Sequence, residues 1–227
     1  LAGLYADGVT SVTEPAPTRD HTERMLTGFN YPVQQEGNQA SVSRSEKLTA
    51  TDIDVPSDIS SAAFFLVGAS IAPDSDLTLR HVGVNPTRTG VIDILKLMGA
   101  NIELSNQRTI GGEPVADIRV QSAQLKGIAI PEELVALAID EFPVIFVAAA
   151  CAQGETILTG AKELRVKESD RIQVMADGLQ TLGVNAQATE DGMIIQGGTI
   201  GGGKVISHHD HRIAMSFAIA GLHATDT

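Results

Sequence analysis

The chain has 227 residues, of which 43% are hydrophobic and 19% are charged, and its net charge is −12 at pH 7. This length and composition are typical of a globular protein with one large or two small domains. The negative charge argues against nucleic acid or an anionic membrane as the main partner, and no stretch approaches the roughly 20 apolar residues that a membrane span requires.

The same succession of secondary-structure elements is predicted to recur along the chain. Each copy has an apolar helix rich in small residues, a short strand, a second helix that begins near an arginine, and a pair of strands. Two copies span residues 60–105 and 140–189, a partial copy spans 1–36, and another begins at 210–227. Gly99 and Gly183 follow the second helix of the two longer copies, as expected of helix C-caps. This repetition predicts an α/β fold in which the first helix of each copy is buried.

The chain starts at what the pattern indicates is the end of a helix, and it stops inside the last copy. We therefore expect it to be truncated at both ends. A change in composition at IDVPSDISSAAFF marks the point where one set of strands ends and a new buried helix begins. It predicts a domain crossing near Pro56, with residues 1–55 ending a first domain and 56–227 forming part of a second. The alternative is a loop within one domain.

Four arginines lie at or near predicted helix starts, in the motifs PTRD, PTRT, ESDR and HDHR. They are Arg19, Arg88, Arg171 and Arg212. A helix N-terminus carries a partial positive charge, and a guanidinium group binds oxyanions through paired hydrogen bonds. In an acidic protein, arginines at these positions indicate recognition of phosphate or carboxylate groups. The alternative for each is a surface ion pair with a neighbouring aspartate.

Two acidic residues are candidates for proton transfer. Asp140 precedes the apolar segment EFPVIFVAAA, where a carboxylate either caps the helix or acts as a base whose pKa is set by partial burial. Glu168 lies in KESDR, where it could exchange a proton while the neighbouring cations contact an oxyanion. The alternative is that Ser169 or Asp170 caps the next helix and the other charges are solvated.

The segment HHDHR, from His208 to Arg212, invites interpretation as a metal site. Adjacent side chains point in different directions on a regular element, however, and no other His or Cys completes a ligand set, so we expect no metal. A histidine beside Arg212 at a helix start is better placed to donate a proton or contact phosphate. The preceding GGTIGGGKV lacks the Ser or Thr that follows the lysine of a P-loop. It is predicted to be a hairpin or a mobile connection.

Cys151 is the only cysteine, which excludes an internal disulfide. Its surroundings, AAACAQ, predict a small buried apolar residue rather than a reactive thiol. A lone unpaired cysteine fits a reducing compartment, so we expect the protein to be cytoplasmic.

The motifs IDEFPV, LRVKESDR and DHRIAMS, in this order and spacing, together with PTRDHTERML, resemble the second half of 5-enolpyruvylshikimate-3-phosphate synthases. The resemblance covers essentially the whole chain. It implies transfer of the enolpyruvyl group of phosphoenolpyruvate to the 5-hydroxyl of shikimate 3-phosphate, with release of phosphate, in chorismate and aromatic amino acid biosynthesis. It also implies no metal or organic cofactor. The implied fold has two domains of repeated βαβαββ units, the enolpyruvyl transferase fold, with both substrates bound between them.

The resemblance implies a role in the chemistry for three residues. Asp140 is similar to the family's general base, near the reacting hydroxyl. Glu168 is similar to the acid that exchanges a proton with the methylene carbon of phosphoenolpyruvate. His211 is expected beside the leaving phosphate.

Four further residues resemble substrate contacts of the family. Lys167 is similar to a shikimate-phosphate contact close to both carboxylates. Arg171 and Arg212 resemble the pair that binds phosphoenolpyruvate. Arg19 resembles a residue near the phosphate of shikimate 3-phosphate in one branch of the family.

The resemblance is to the family's second half, so the Lys-Ser-Arg and Ser-x-Gln motifs that the family carries in its first half would lie before Leu1. We therefore expect the missing half of the same protein to be a partner, and the isolated chain to have no useful turnover. Two other functions stay open. One is the related UDP-N-acetylglucosamine enolpyruvyl transferase, which typically uses a loop cysteine, and the other is a non-catalytic anion-binding fragment.

Overall fold

The computed structural model describes residues 1–14, 18–44 and 47–225. Pro17, the predicted start of the PTRD motif, lies outside the described residues. The first described unit contains strand β1 (Val9–Thr13), helix α1 (His21–Gly28), and the hairpin of β2 (Gln34–Glu36) and β3 (Gln39–Ser43). These strands form an antiparallel sheet in the order β1–β3–β2.

The second unit begins with the long apolar helix predicted after the crossing segment. Its elements are α2 (Ile59–Ile71), β4 (Asp76–Gly83), α3 (Gly90–Leu97), β5 (Asn101–Ile110) and β6 (Glu113–Gln121). The sheet order is β4–β6–β5, and every pairing is antiparallel.

The third unit repeats this arrangement in shorter form. Its elements are α4 (Phe142–Cys151), β7 (Glu155–Leu158), α5 (Arg171–Thr181), β8 (Asn185–Ala188) and β9 (Met193–Gln196). The sheet order is β7–β9–β8, again antiparallel. Helix α6 (His211–Ala220) follows, after a connection over 197–210 that contains neither helix nor strand, so the glycine-rich segment is not the hairpin considered as one alternative.

All three sheets place the last strand of the unit between the other two. Isolated parallel bridges pair Ser57 with Val82, and Ala129 with Ile157, so a short extended segment before α2 and before α4 joins the adjacent sheet. With that segment, the second and third units have the βαβαββ succession. The repeated α/β architecture predicted from the sequence is therefore confirmed.

The core lies around the first helices of the two longer units. Almost all of α2 and the whole of α4 except its last residue are buried, which explains why their sequences are apolar on every face. Helix α6 packs against both of them. One contiguous cluster of buried apolar residues extends from Ile59 to Ala220. The domain boundary at Pro56 stays a prediction.

Both predicted C-cap glycines are confirmed. Gly99 and Gly183 have φ of +94° and +81°, in the left-handed region that a Cβ disfavours. The amide following each glycine donates to a carbonyl five residues earlier, to Leu95 from Ala100 in the first case, as in a Schellman motif. At these turns the chain leaves α3 and α5 and enters β5 and β8. Within the part of the chain that the structure describes, no helix has the length and apolarity to cross a membrane.

Candidate active site

Asp140 lies at the centre of a cluster of cations contributed by separate parts of the fold. Its carboxylate accepts a hydrogen bond from Arg19, which precedes α1. Lys167 Nζ lies 3.3 Å from Asp140 Oδ1, and Arg171 Nη1 lies 3.6 Å from the same oxygen. The Asp140 side chain retains 17% of its exposure, so the carboxylate faces this cluster and an opening to solvent.

Capping is not the role of Asp140. The N-cap position of α4 is Glu141, and neither residue's carboxylate accepts a capping hydrogen bond there. Partial burial alone would raise the pKa of Asp140, but the hydrogen bond from Arg19 and the charges of Lys167 and Arg212 outweigh it and lower the pKa below its ordinary value. Asp140 is therefore a carboxylate at neutral pH and can accept a proton.

Lys167 connects two carboxylates at the end of a 3-10 helix (Lys162–Val166). Its ammonium nitrogen lies 2.5 Å from Glu163 Oε1, in addition to its contact with Asp140. Burial would lower the pKa of Lys167, but the hydrogen bond from its ammonium to Glu163 and the charge of Asp140 raise it above the ordinary value. Lys167 is thus a permanent cation at physiological pH, suited to binding an anion.

Arg171 is the first residue of α5 and its side chain is only 1% exposed. Its Nη2 donates to Glu168 Oε2 at 2.6 Å and its Nε donates to Asp210 Oδ2 at 2.9 Å. The guanidinium is therefore fixed on two sides, with Nη1 directed toward Asp140. Glu168 keeps 55% of its side-chain exposure, so its carboxylate can meet a ligand. Asp170 caps α5 by accepting from Gln173 N at 3.1 Å, as one alternative anticipated.

Asp210 links α5 and α6, whereas the sequence indicates it only as a member of HHDHR or as an aspartate near Arg212. It is fully buried and accepts hydrogen bonds from Arg171, from Ser169 Oγ at 3.0 Å and from Arg212 N at 2.9 Å. Burial alone would raise the pKa of Asp210, but the hydrogen bonds from Arg171 and Ser169 outweigh burial and lower the pKa below its ordinary value. Its position directly before a helix start was the available signal, since aspartate is a preferred N-cap.

Arg212 projects from the first turn of α6 toward the segment before α4. Its Nη1 donates to the backbone oxygen of Asp140 at 3.0 Å and lies 3.7 Å from Glu141 Oε1. His211 is exposed at the first helical position, and no side-chain hydrogen bond or ion pair among the described residues involves it. His208 and His209 both have φ in the left-handed region, which turns the chain sharply before the helix. No metal-binding group of three His, Cys, Asp or Glu occurs among the described residues.

Arg88 differs from the other three arginines. Its side chain is 13% exposed and donates to Ser60 Oγ, while its Nη2 lies 3.7 Å from Asp58 and 3.8 Å from Glu141. The ion-pair interpretation is therefore the one the structure shows, although the partners are distant in sequence rather than neighbours. Arg88 is therefore next to Glu141, the residue that follows Asp140.

Glu141 was not singled out from the sequence. Its side chain is 2% exposed, accepts a hydrogen bond from Ser60, and approaches both Arg88 and Arg212. Burial raises the pKa of Glu141, and the Ser60 hydrogen bond and the two arginines only partly offset this. A glutamate within the apolar run IDEFPV was the available signal, because a buried charge requires partners.

A cavity of about 340 Å³ opens beside Asp140, with Arg19, Thr87, Glu163 and Lys167 in its walls. Six of the seven predicted site residues therefore lie together. Asp140 contacts Arg19, Lys167, Arg171 and Arg212, and Glu168 contacts Arg171. His211, the seventh, is adjacent to Arg212 in the chain. The arrangement places an ionised carboxylate among cations from four segments. Such a site can bind an anionic molecule and accept a proton from it.

Comparison with known proteins identifies the group to which this arrangement belongs. Residues 1–227 match the family described as EPSP synthase (3-phosphoshikimate 1-carboxyvinyltransferase). The chain belongs to the EPSP synthase family.

Curated relatives in this family are similar along the whole chain. A 3-phosphoshikimate 1-carboxyvinyltransferase of Methylococcus capsulatus is 67% identical over 224 residues, which are 99% of this chain and 51% of that protein. One of Alkalilimnicola ehrlichii is 69% identical over 227 residues, covering 100% of this chain and 51% of that protein. The chain thus spans about half the length of the EPSP synthase relatives it matches.

Solved structures agree with this assignment. The EPSP synthase of Acinetobacter baumannii superposes with a TM-score of 0.95 at 61% identity, covering 99% of this chain and 52% of that one. The enolpyruvyl transferase NikO of Streptomyces tendae superposes with a TM-score of 0.73 at 15% identity, covering 99% and 51%. The second likeness shows the shared enolpyruvyl transferase fold alone.

Proposed function

We propose that this chain is the carboxyl-terminal half of a 3-phosphoshikimate 1-carboxyvinyltransferase. The whole enzyme transfers the enolpyruvyl group of phosphoenolpyruvate to the 5-hydroxyl of shikimate 3-phosphate and releases phosphate. The observation that carries the proposal is the Asp140 carboxylate held among Arg19, Lys167 and Arg171. Both substrates are anions, and cations surround the Asp140 carboxylate, with a further carboxylate, that of Glu168, beside Arg171.

The two carboxylates have separate tasks in the proposed reaction. Asp140 removes the proton of the attacking hydroxyl as the carbon–oxygen bond forms, and Glu168 delivers a proton to the methylene carbon, which becomes a methyl group. In the elimination, Glu168 takes a proton back from the methyl group while the carbon–oxygen bond to phosphate breaks, and the departing phosphate takes up the proton that left the hydroxyl. His211 would stand beside the departing phosphate. Two carboxylates in different surroundings suit this division.

Substrate binding would also adjust the base. In the free protein, Arg19 and Lys167 hold the pKa of Asp140 low, which makes it a weak base. When anionic groups of shikimate 3-phosphate draw these cations toward themselves, the pKa of Asp140 moves back toward its ordinary range. Arg171 and Arg212 would bind phosphoenolpyruvate, with their guanidinium groups fixed beforehand by Asp210 and by the Asp140 carbonyl.

The remaining half of the same protein is the proposed partner, since the chain spans about half of its relatives. We expect neither metal nor organic cofactor, and neither nucleic acid nor membrane as a partner. Cys151 is the last residue of helix α4, and burial raises the pKa of its thiol to about 12, which does not suit the reactive loop cysteine of a UDP-N-acetylglucosamine transferase. A thiol without a disulfide partner accords with a cytoplasmic location.

Phosphate release tests the proposal. A full-length protein containing this chain should release phosphate from phosphoenolpyruvate only when shikimate 3-phosphate is added, and not with UDP-N-acetylglucosamine as acceptor. Release with the second acceptor alone would contradict it. The isolated chain should bind phosphoenolpyruvate, measured by calorimetry, without turnover. This last result describes a non-catalytic anion-binding fragment, which is what half of the site predicts.

Glu168→Gln in the full-length protein tests the proton-transfer role. The amide cannot exchange a proton, so kcat should fall by a factor of about 100 to 10,000. Glu190→Gln is the matched control, because the Glu190 side chain is 83% exposed and its carboxylate pairs, among the described residues, with Lys162 alone. Turnover at the control's rate in Glu168→Gln would remove Glu168 from the chemistry.

A further inference from the structure

A buried amide joins the segments on either side of Pro56. Asn85, which follows β4, is only 2% exposed. Its Nδ2 donates to Asp20 Oδ1 at 2.6 Å and to Glu113 Oε2 at 3.1 Å. Asp20 occupies the N-cap position of α1, and Glu113 begins β6. One side chain therefore holds carboxylates from both segments together.

Further contacts hold Asp20 against α1 and join α1 to the turn before β6 and to the first residue of β6. Arg24 Nε donates to Asp20 Oδ2 at 2.8 Å, and Arg24 Nη1 donates to the carbonyl of Gly112 at 3.3 Å. His21 Nδ1 lies 2.7 Å from Glu113 Oε1. A Cβ at Gly112 would lie 2.9 Å from the carbonyl oxygen of Arg24, so the two backbones touch directly. Helix α1 is thus fastened to the β5–β6 turn.

The opposite end of the Asn85 amide reaches the site. Its Oδ1 accepts from both the backbone N–H and the hydroxyl of Thr87, each at 2.9 Å. Thr87 and Arg19 form part of the wall of the cavity beside Asp140. The amide nitrogen of Asn85 is therefore directed at Asp20 and Glu113, and its oxygen is directed at Thr87 in the wall of the site. A buried amide satisfied in this way specifies one arrangement of its partners.

This arrangement restrains the backbone beside Arg19. Its side chain is 47% exposed, and a long exposed side chain is free to leave its partner. The residue that follows it, Asp20, is held by Asn85 and Arg24. Fixing Asp20 fixes the backbone from which Arg19 extends toward Asp140.

We propose that Asn85 is a positioning residue that joins the N-terminus of α1 to the β5–β6 turn and thereby keeps Arg19 at the substrate site. Its action on substrate binding rests on the proposed function, whereas the mechanical link does not. Among the described residues, no hydrogen bond joins the Asn85 side chain to Arg19 or Asp140, so Asn85 acts through Asp20.

Hydrogen exchange tests the mechanical link in a full-length protein containing this chain. Asn85→Ala should speed exchange of the α1 amides by roughly tenfold while leaving α2 unchanged, because the lost hydrogen bond to Asp20 holds the start of α1, whereas no hydrogen bond among the described residues joins the Asn85 side chain to α2. Asn101→Ala is the matched control, since the exposed Asn101 donates to Gln121 far from α1. Unchanged α1 exchange in Asn85→Ala would overturn the proposal. If Asn85→Ala does not fold, Glu113→Gln keeps the size of the side chain and replaces that variant. Faster exchange of the α1 amides in Glu113→Gln would support the proposal, and unchanged exchange would overturn it.

Kinetics test the positioning. The KM for shikimate 3-phosphate should rise roughly fivefold in Asn85→Ala with kcat within about twofold of wild type, and Arg19→Ala combined with Asn85→Ala should be no worse than Arg19→Ala alone. Additive losses would show that Asn85 does not act through Arg19. A wild-type protein with no shikimate 3-phosphate-dependent phosphate release would refute the proposed function, and the exchange result would still decide whether the link exists.

Discussion

At the scale of single residues, the site depends on carboxylates whose surroundings differ although their positions are adjacent. Asp140 is partly exposed and surrounded by cations that lower its pKa. The neighbouring Glu141 is buried, and burial raises its pKa. The first carboxylate faces the cavity and the second faces the arginines behind it. The two neighbouring acids thus differ in exposure, and their pKa values are shifted in opposite directions.

The role of the Glu141 charge is testable. Glu141→Gln keeps the side-chain volume but removes the charge that lies 3.7 Å from Arg212 Nη1. Arg212 then keeps its hydrogen bond to the Asp140 carbonyl and the attraction of the Asp140 carboxylate, but it loses the charge behind it. The KM for phosphoenolpyruvate should therefore rise by about three- to tenfold, with a smaller change in kcat. Steady-state kinetics of the full-length protein measure this.

Ser60→Ala serves as the comparison for that change. It removes the hydroxyl that donates to Glu141 but leaves the charge in place. The KM for phosphoenolpyruvate should then change less than in Glu141→Gln. Equal effects would indicate that the packing of this cluster matters rather than its charge.

At the scale of secondary-structure elements, the site residues are arranged by helix starts. Aspartates at N-cap positions accept backbone hydrogen bonds from α2, α5 and α6. All three caps also pair with arginines. Asp210 accepts a hydrogen bond from Arg171, Asp170 lies 2.6 Å from Arg165, and Asp58 lies 3.7 Å from Arg88. The same carboxylate therefore defines where the helix begins and holds a cation in place.

Removal of one cap has a predictable cost. Asp170→Ala loses the bond to Gln173 N and the ion pair with Arg165, and it should lower the free energy of unfolding by about 1–2 kcal/mol. Urea denaturation measures the loss. Asp177→Ala, which removes an exposed carboxylate farther along the same helix, should cost less, and an equal cost would argue against capping as the cause.

The sequence predicts elements better than it predicts contacts. Apolar helices, short strands and the glycines at 99 and 183 are local signals, and the structure confirms them. Four arginines at helix starts were also found locally, but nothing local distinguishes Arg88, which is enclosed, from Arg19, which is open. That difference depends on Ser60 and Glu141, and their positions follow from the packing of α2 against α4.

The missed residues have a common physical cause. Asp210, Glu141 and Asn85 are buried polar groups whose partners lie far along the chain. Their sequence signal is only a polar residue in an apolar or helix-start setting. Tertiary packing determines which partner each one meets.

At the scale of the whole molecule, several ionised aspartates contribute to stability. The pKa values of Asp20, Asp58, Asp140 and Asp210 are all lowered: burial opposes this in each case, and hydrogen bonds and nearby arginines or lysine outweigh it. A carboxyl with a lowered folded-state pKa stabilises the protein above its unfolded-state pKa. That contribution is lost as the pH falls through the folded-state value.

Stability should therefore fall in acid. The urea midpoint of the full-length protein should decrease as the pH is lowered from about 5 to about 3, around and below the ordinary aspartate value. Glu141 acts in the opposite direction, because its raised pKa means that protonation relieves the cost of its buried charge. A midpoint that stays constant or rises over this range would contradict the prediction.

The three sheets have a consequence for the order of folding. Each sheet is assembled from strands within one short unit, so its pairing closes only small loops. The hydrogen bond between Arg19 and Asp140 instead joins positions 121 residues apart, and that between Ser60 and Glu141 joins positions 81 apart. Contacts of such long range form late, because the chain entropy of closing them must be overcome first. During refolding, anion binding should lag behind protection of the strand amides, so that a chain with every sheet formed still has no site until its units have docked.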